Sequence, residues 1–254
     1  MSDPLWDELR RTTRARIGLG RAGNALPTTA VLELAAAHAA ARDAVHEALD
    51  VDALAADLVA AGFPEPVRTT SRAGSRAEYL RRPDLGRVPA GADGPFPVAG
   101  DLAVVLADGL SARALQAHAV PLLRELRPLL DVGTPVIATQ ARVALGDHLG
   151  ARAGAAAVLV LIGERPGLSA SDSLGAYLTW APTPGRSDAQ RNCVSNIRPP
   201  DGLDYPVAAR NVAGLLRAAR ELGESGVRLK DRSRAALAAA DPGPVADAGV
   251  LPPA

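Results

Sequence analysis

AAAVLVLI, residues 155–162, is the stretch whose reading decides the fold. It follows Gly154 and runs into Gly163 and Glu164. A strand with one wet face alternates apolar and polar residues. A short unbroken apolar run closed by glycine reads instead as a strand buried on both faces. Working outward, LAVVLA at 102–107 and PVIAT at 135–139 have the same character. Helical patterns lie between these runs. Ser111 can cap a helix reaching about Leu130, with Pro121 as a kink point, and residues 142–153 form another. Ala176–Ala181 and Val194–Ile197 read as further strands. Pro206–Leu222 is amphipathic, with Val212, Leu215, Leu216, Ala219 and Leu222 on one side and Gly223 as its stop. This alternation predicts an α/β fold. The sheet is Rossmann-like and mostly parallel, with helices on both faces.

The N-terminal third has a different period. Leu5, Trp6, Leu9, Thr13 and Ile17 fall at helical spacing, ended by Gly18 and Gly20. Pro27, Thr28 and Thr29 open a second helix with a threonine as N-cap and a stripe of Val31, Leu34, Ala35, His38, Ala41 and Val45. A third follows Asp50, with Gly62 at its C′ position. Between residues 64 and 100 arginines cluster at 68, 72, 76, 81, 82 and 87, and proline and glycine crowd 83–100. The expected organisation is a small all-helical unit (1–66), an Arg/Pro/Gly-rich connection (67–100), the α/β unit (101–231) and a tail (232–254). The tail's Ala, Pro and Asp content predicts disorder.

Composition excludes several classes of function. Lys plus Arg and Asp plus Glu are both 28, so the formal net charge is zero, and nothing in the whole-chain field favours nucleic acid or an anionic membrane. One cysteine, Cys193, allows no intrachain disulfide and no cysteine-pair metal site. The N-terminus lacks the apolar segment of a secretory signal, and the longest apolar run is too short to span a bilayer.

Several motifs mislead. GLGRAG at 18–23 matches the dinucleotide fingerprint by letter, but a helix rather than a strand precedes it. It reads as a turn between helices. GLSAS at 167–171 resembles a nucleophile elbow without its last glycine, and all four histidines precede it, against the hydrolase order. His38, on an apolar stripe, reads as a core or interface histidine. Asp147 and His148 suggest the Asp-x-His-x-x-Gly cobalt motif of one class of B12 proteins, but the spacing is wrong. Cys193 has Arg191 nearby, and a cation lowers a thiol pKa. With no base at hand it reads as a small residue lining a pocket or core. Asp108 and Glu164 stand just after two of the predicted strands, where ligands gather in open sheets. Glu164 and Arg165 are either a surface pair or ligand contacts.

A set of stretches in one order resembles the ethanolamine ammonia-lyase small subunit. They are RIGLGRAG (16–23), HAAARDAV (38–45), SRAGSRAEYLRRPDLGR (71–87), DLAVVLADGLSA (101–112), IGERPGLS (162–169), DSLGAYLT (172–179) and RNCVSNIRP (191–199). The resemblance implies a carbon–nitrogen lyase that is active only with a large subunit in a hetero-oligomer. The reaction converts ethanolamine to acetaldehyde and ammonia by adenosylcobalamin (coenzyme B12) radical chemistry. It also implies that the large subunit holds the substrate and the small subunit covers one side of cobalamin. The family's cobalamin contacts carry over to Val143, Glu164 and Cys193. No catalytic acid or base and no metal ligand is assigned to this chain. Many relatives carry an N-terminal extension linked to packaging in a bacterial microcompartment. Here the first helix starts almost at Met1, so cytoplasm is the expected location and packaging the alternative.

Overall fold

The computed structural model describes residues 4–91 and 100–229. The tail expected to be disordered, 232–254, lies outside the described residues, as does 92–99 of the connection. Seven α-helices and six strands are described. In chain order they are α1 (Pro4–Thr12), α2 (Thr28–His46), α3 (Val51–Ala60), β1 (Val67–Thr70), α4 (Arg76–Arg81), β2 (Leu102–Ala107), α5 (Ala112–Leu126), β3 (Val136–Thr139), α6 (Leu145–Ala153), β4 (Ala157–Gly163), β5 (Leu174–Trp180), β6 (Asn192–Ile197) and α7 (Tyr205–Leu222).

The strands form one sheet in the order β1-β3-β2-β4-β5-β6. The first four are mutually parallel, and β5 is antiparallel to both of its neighbours. The expected mostly parallel α/β sheet is therefore the one observed. β2 is buried along its whole length, as its unbroken apolar run requires. Leu102, Val104 and Leu106 join a core shared with α3, α5 and α7 on one face. Ala103, Val105 and Ala107 join a second core under α6 on the other. Each leucine buried this way is worth about 1.5–3 kcal/mol of transfer free energy. A Cβ on Gly146 would lie 2.4 Å from a Val160 methyl, so glycine there lets α6 lie directly on β4.

Local chemistry sets most helix ends as expected. Ser111 accepts from the Ala114 amide and opens α5, Asp50 does the same for α3, and Gly223 in the left-handed region ends α7. Some features differ. α1 stops at Thr12, short of Ile17. The Thr12 hydroxyl turns back to the Leu9 carbonyl and the Thr13 hydroxyl accepts from the Ala15 amide, which competes with the helix ladder. The N-cap of α2 is Pro27, with no side-chain bond, rather than a threonine. α5 ends at Leu126, four residues early. The inward face of α2 is Ala30, Ala41 and Ala44, while Val31, Leu34 and His38 are exposed. Small residues allow the helix to approach closely, whereas the larger apolar stripe faces out. The segment read as a connection supplies edge strand β1 and helix α4, whose N-cap Ser75 accepts from the Glu78 amide.

One face of the sheet is only partly covered. On the α6 side, α6 lies over β2 and β4. Beyond it, Tyr177 of β5 is half-buried and Cys193 and Ser195 of β6 are exposed. The opposite side of the same two strands, with Leu174, Ala176, Leu178, Val194 and Ile197, is sealed by α7.

Candidate functional site

The crevice where an open α/β sheet usually takes its ligand lies between β2 and β4, because the chain leaves β2 toward β3 and then crosses back to β4. Here it is closed. The Leu110 amide donates to the Gly163 carbonyl at 2.9 Å. A Cβ on Gly109 would sit 2.3 Å from that carbonyl, and one on Gly163 would sit 1.9 Å from the Ser111 carbonyl. Backbone fills the place where a nucleotide phosphate would enter. The glycines of 18–23 do not supply a substitute. Gly18 packs under the Trp6 ring, and Arg10 donates to the Gly18 carbonyl at 2.6 Å, so this segment is a turn folded onto α1.

Asp108, one of the two acids expected at the strand ends, is a brace. Its carboxylate accepts from the Gln140 and Ala141 amides at 2.9 and 3.0 Å and faces Arg76 at 3.4 Å. Burial pushes its pKa up, and the two amides and Arg76 hold it down. Arg76 in turn donates to the carbonyls of Val45 and Gly109.

Glu164 is the other acid, and it stands at the edge of the uncovered sheet. Ser173 donates to one of its oxygens at 2.5 Å and Ser195 to the other at 2.6 Å, with the Asn196 amide at 3.3 Å. One carboxylate thus ties the end of β4 to β5 and β6. Cys193 pairs across the strands with Tyr177. Burial pushes its thiol up to about 11, assisted by the Glu164 carboxylate and opposed by a hydrogen bond with Tyr177. The side chain is surface-accessible, and the groups packed beside it desolvate a thiolate. It is a neutral thiol at physiological pH, not a nucleophile. Arg191, the cation thought able to activate it, is committed elsewhere. Its guanidinium grips Asp147 of α6 in a two-point ion pair at 2.5 and 2.6 Å and donates to Thr179. Val143, just before α6, packs against the α6-side core, as does Tyr177. Val143, Glu164 and Cys193, far apart in sequence, therefore border the same side of the sheet.

The Asp147–Arg191 pair was missed by sequence reasoning, which weighed the two residues in separate motifs. An aspartate set between the core leucines Leu145 and Leu149, next to Gly146, was the available signal. Ser169 lies on the surface and takes a long contact from Arg16, so the elbow-like GLSAS has no catalytic setting. Among the described residues no group of His, Cys, Asp and Glu could hold a metal ion, and no helix is long and apolar enough to cross a membrane.

A cavity of about 430 Å³ opens beside this region, between α2 and the loops after β2, β3 and β4 that carry Leu110, Arg142 and Arg165.

Comparison with known proteins gives the family. A profile described as ethanolamine ammonia-lyase light chain (EutC) matches residues 3–230. The chain belongs to the ethanolamine ammonia-lyase light-chain family. The ethanolamine ammonia-lyase small subunit of Rhodococcus erythropolis is 56% identical over 235 residues, covering 91% of each chain. That of Bradyrhizobium diazoefficiens is 52% identical over 249 residues, covering 92% of this chain and 95% of its own. The Pseudomonas syringae small subunit is 48% identical over 242 residues, covering 90% and 84%. This light chain brings Val143, Glu164 and Cys193 to one side of a sheet with one bare flank.

Proposed function

We propose that this light chain is the small subunit of an adenosylcobalamin-dependent ethanolamine ammonia-lyase and provides one wall of the cobalamin site against a large subunit. The observation that carries the reading is the bare shelf over β5 and β6, bordered by Val143, Glu164 and Cys193. Its chemistry fits a corrin. A neutral thiol and a valine give uncharged contact beside a ring, and a carboxylate already anchored by three donors is a rigid acceptor for rim amides. When bound, the cofactor supplies a radical by breaking its cobalt–carbon bond. The light chain's residues bind and orient. The closed crevice, the neutral Cys193 and the bracing role of Asp108 support a binding role for it. Ethanolamine and the chemistry performed on it belong to the large subunit, and the working form is a hetero-oligomer in the cytoplasm.

The test is reconstitution. Co-expressed with the large subunit and given adenosylcobalamin, the chain should support ammonia release from ethanolamine. The chain alone, or the complex without cofactor, should release none. Activity of the large subunit that is indifferent to this chain would overturn the proposal. Full activity of a complex whose cobalamin spectrum ignores changes at Cys193 would reduce the light chain to a structural partner.

A further inference from the structure

The cavity between α2 and the strand-end loops is lined by three arginines, Arg42, Arg142 and Arg165, and two histidines, His38 and His46, with aliphatic side chains between them. Among the described residues no carboxylate lines it. In a chain of zero formal net charge, that is a strong local excess of one sign. The arginines are poorly compensated. Arg42 has only a 3.7 Å contact with Asp43, both side chains being largely exposed. Arg142 stacks on the Tyr79 ring at 4.5 Å, and its Nε is buried with no hydrogen-bond partner. Arg165 has no ion pair among the described residues. A buried donor without an acceptor is costly, and cations on a partly enclosed, aliphatic wall attract an anion more strongly than in open water.

Two of the cavity's arginines also adjoin the shelf's bordering residues along the chain. Arg142 precedes Val143, and Arg165 follows Glu164. A cobalamin has one anionic group, the phosphodiester of its nucleotide tail, joined to the ring by a flexible arm. Resting on the cobalamin reading above, we propose that the arginine cavity receives that phosphodiester, with Arg142 and Arg165 as its principal donors and Arg42 closing the open side. Fork-shaped guanidinium groups suit a phosphate's paired oxygens, and the aliphatic walls suit the carbon skeleton beside it.

The experiment measures cofactor affinity of the two-subunit complex by visible absorption. The ligands are adenosylcobalamin, adenosylcobinamide, which lacks the phosphodiester, ribose and base, and adenosylcobinamide phosphate, which restores a phosphate without the base. Arg165→Gln and Arg42→Gln are the main variants because both side chains are exposed and should not disturb folding. Arg142→Lys is the conservative change at the stacked position. The inference expects Arg165→Gln to weaken adenosylcobalamin and adenosylcobinamide phosphate about tenfold and to leave adenosylcobinamide within about twofold. Raising salt should weaken the two phosphate-bearing ligands more than the third. Equal loss for all three ligands, or loss of subunit association, would mean that the arginines hold the ring or an acidic surface of the partner, and would overturn the inference. So would unchanged affinity in all variants. A wild-type complex that binds none of the three ligands would instead overturn the cobalamin reading itself.

Discussion

Replacing Asp147 with alanine leaves the Arg191 guanidinium inside the protein without its carboxylate. Both side chains are almost fully enclosed, at 1% and 3% exposure, so water cannot take over. Thr179, the Arg186 carbonyl and the Asp188 carboxylate at 3.4 Å remain as partners, but the first two are uncharged and Asp188 is 88% exposed, so its charge is largely screened. Breaking one side of a buried ion pair costs about 3–5 kcal/mol. For a domain of this size each kcal/mol moves the melting temperature by about 2–4 °C, so the expected drop is roughly 6–20 °C. Thermal unfolding followed by circular dichroism measures it. The penalty comes from the orphaned charge rather than from the lost attraction. A double variant, Asp147→Leu with Arg191→Met, should therefore regain at least half of the loss. A single variant that melts within 2 °C of wild type, or a double variant worse than the sum of the singles, would refute the reasoning.

Four further expectations follow from other sites. The Cys193 thiol, pushed up to about 11, should react with iodoacetamide at pH 8 about two orders of magnitude more slowly than free cysteine, and its rate should still be climbing at pH 10. Glu164→Ala should lower stability by about 1–3 kcal/mol in chemical denaturation as well as weakening cobalamin, because it strands Ser173 and Ser195. A loss confined to cobalamin affinity would show that the serines are indifferent to it. Arg76→Glu should destabilise the chain by at least about 2 kcal/mol, since it places a carboxylate against buried Asp108. Arg81→Glu, on the surface, should stay within about 0.5 kcal/mol in the same measurement. Burial lowers the pKa of His118 below its ordinary value, with Asp172 opposing. The unfolded chain then takes a proton more readily than the folded one, so stability should fall as pH drops below about 6.5, and His118→Gln should flatten that slope in urea titrations.

Legibility in the sequence followed the physics of each element. β2, β3 and β4 were readable because a strand with helices on both sides must be apolar at every position. β1, with the sequence VRTT, was not. It pairs on one side only, at the sheet edge, so only its backbone is constrained. α2 was readable as a helix but its inward face was not. Hydropathy ranks Val31 and Leu34 above alanine, while the packing selects Ala30, Ala41 and Ala44 for close approach. The proposed site residues Val143, Glu164 and Cys193 came from resemblance, and of the three the pattern alone marked only Glu164, by its place after a buried strand. The roles of Asp108, Asp147 and Arg191 are long-range pairings, which no local period reports.

The bare flank of β5 and β6 has a thermodynamic consequence. A shelf open to solvent can enclose a ligand only when a second wall is supplied, so much of the area that a cofactor buries would become available only on association. Under the proposed cobalamin reading, binding of the cofactor and joining of the two chains are linked equilibria, and each strengthens the other by the same factor. Dilution should strip the cofactor, and withdrawing the cofactor should loosen the chains, even though neither event alters a residue of the other interface.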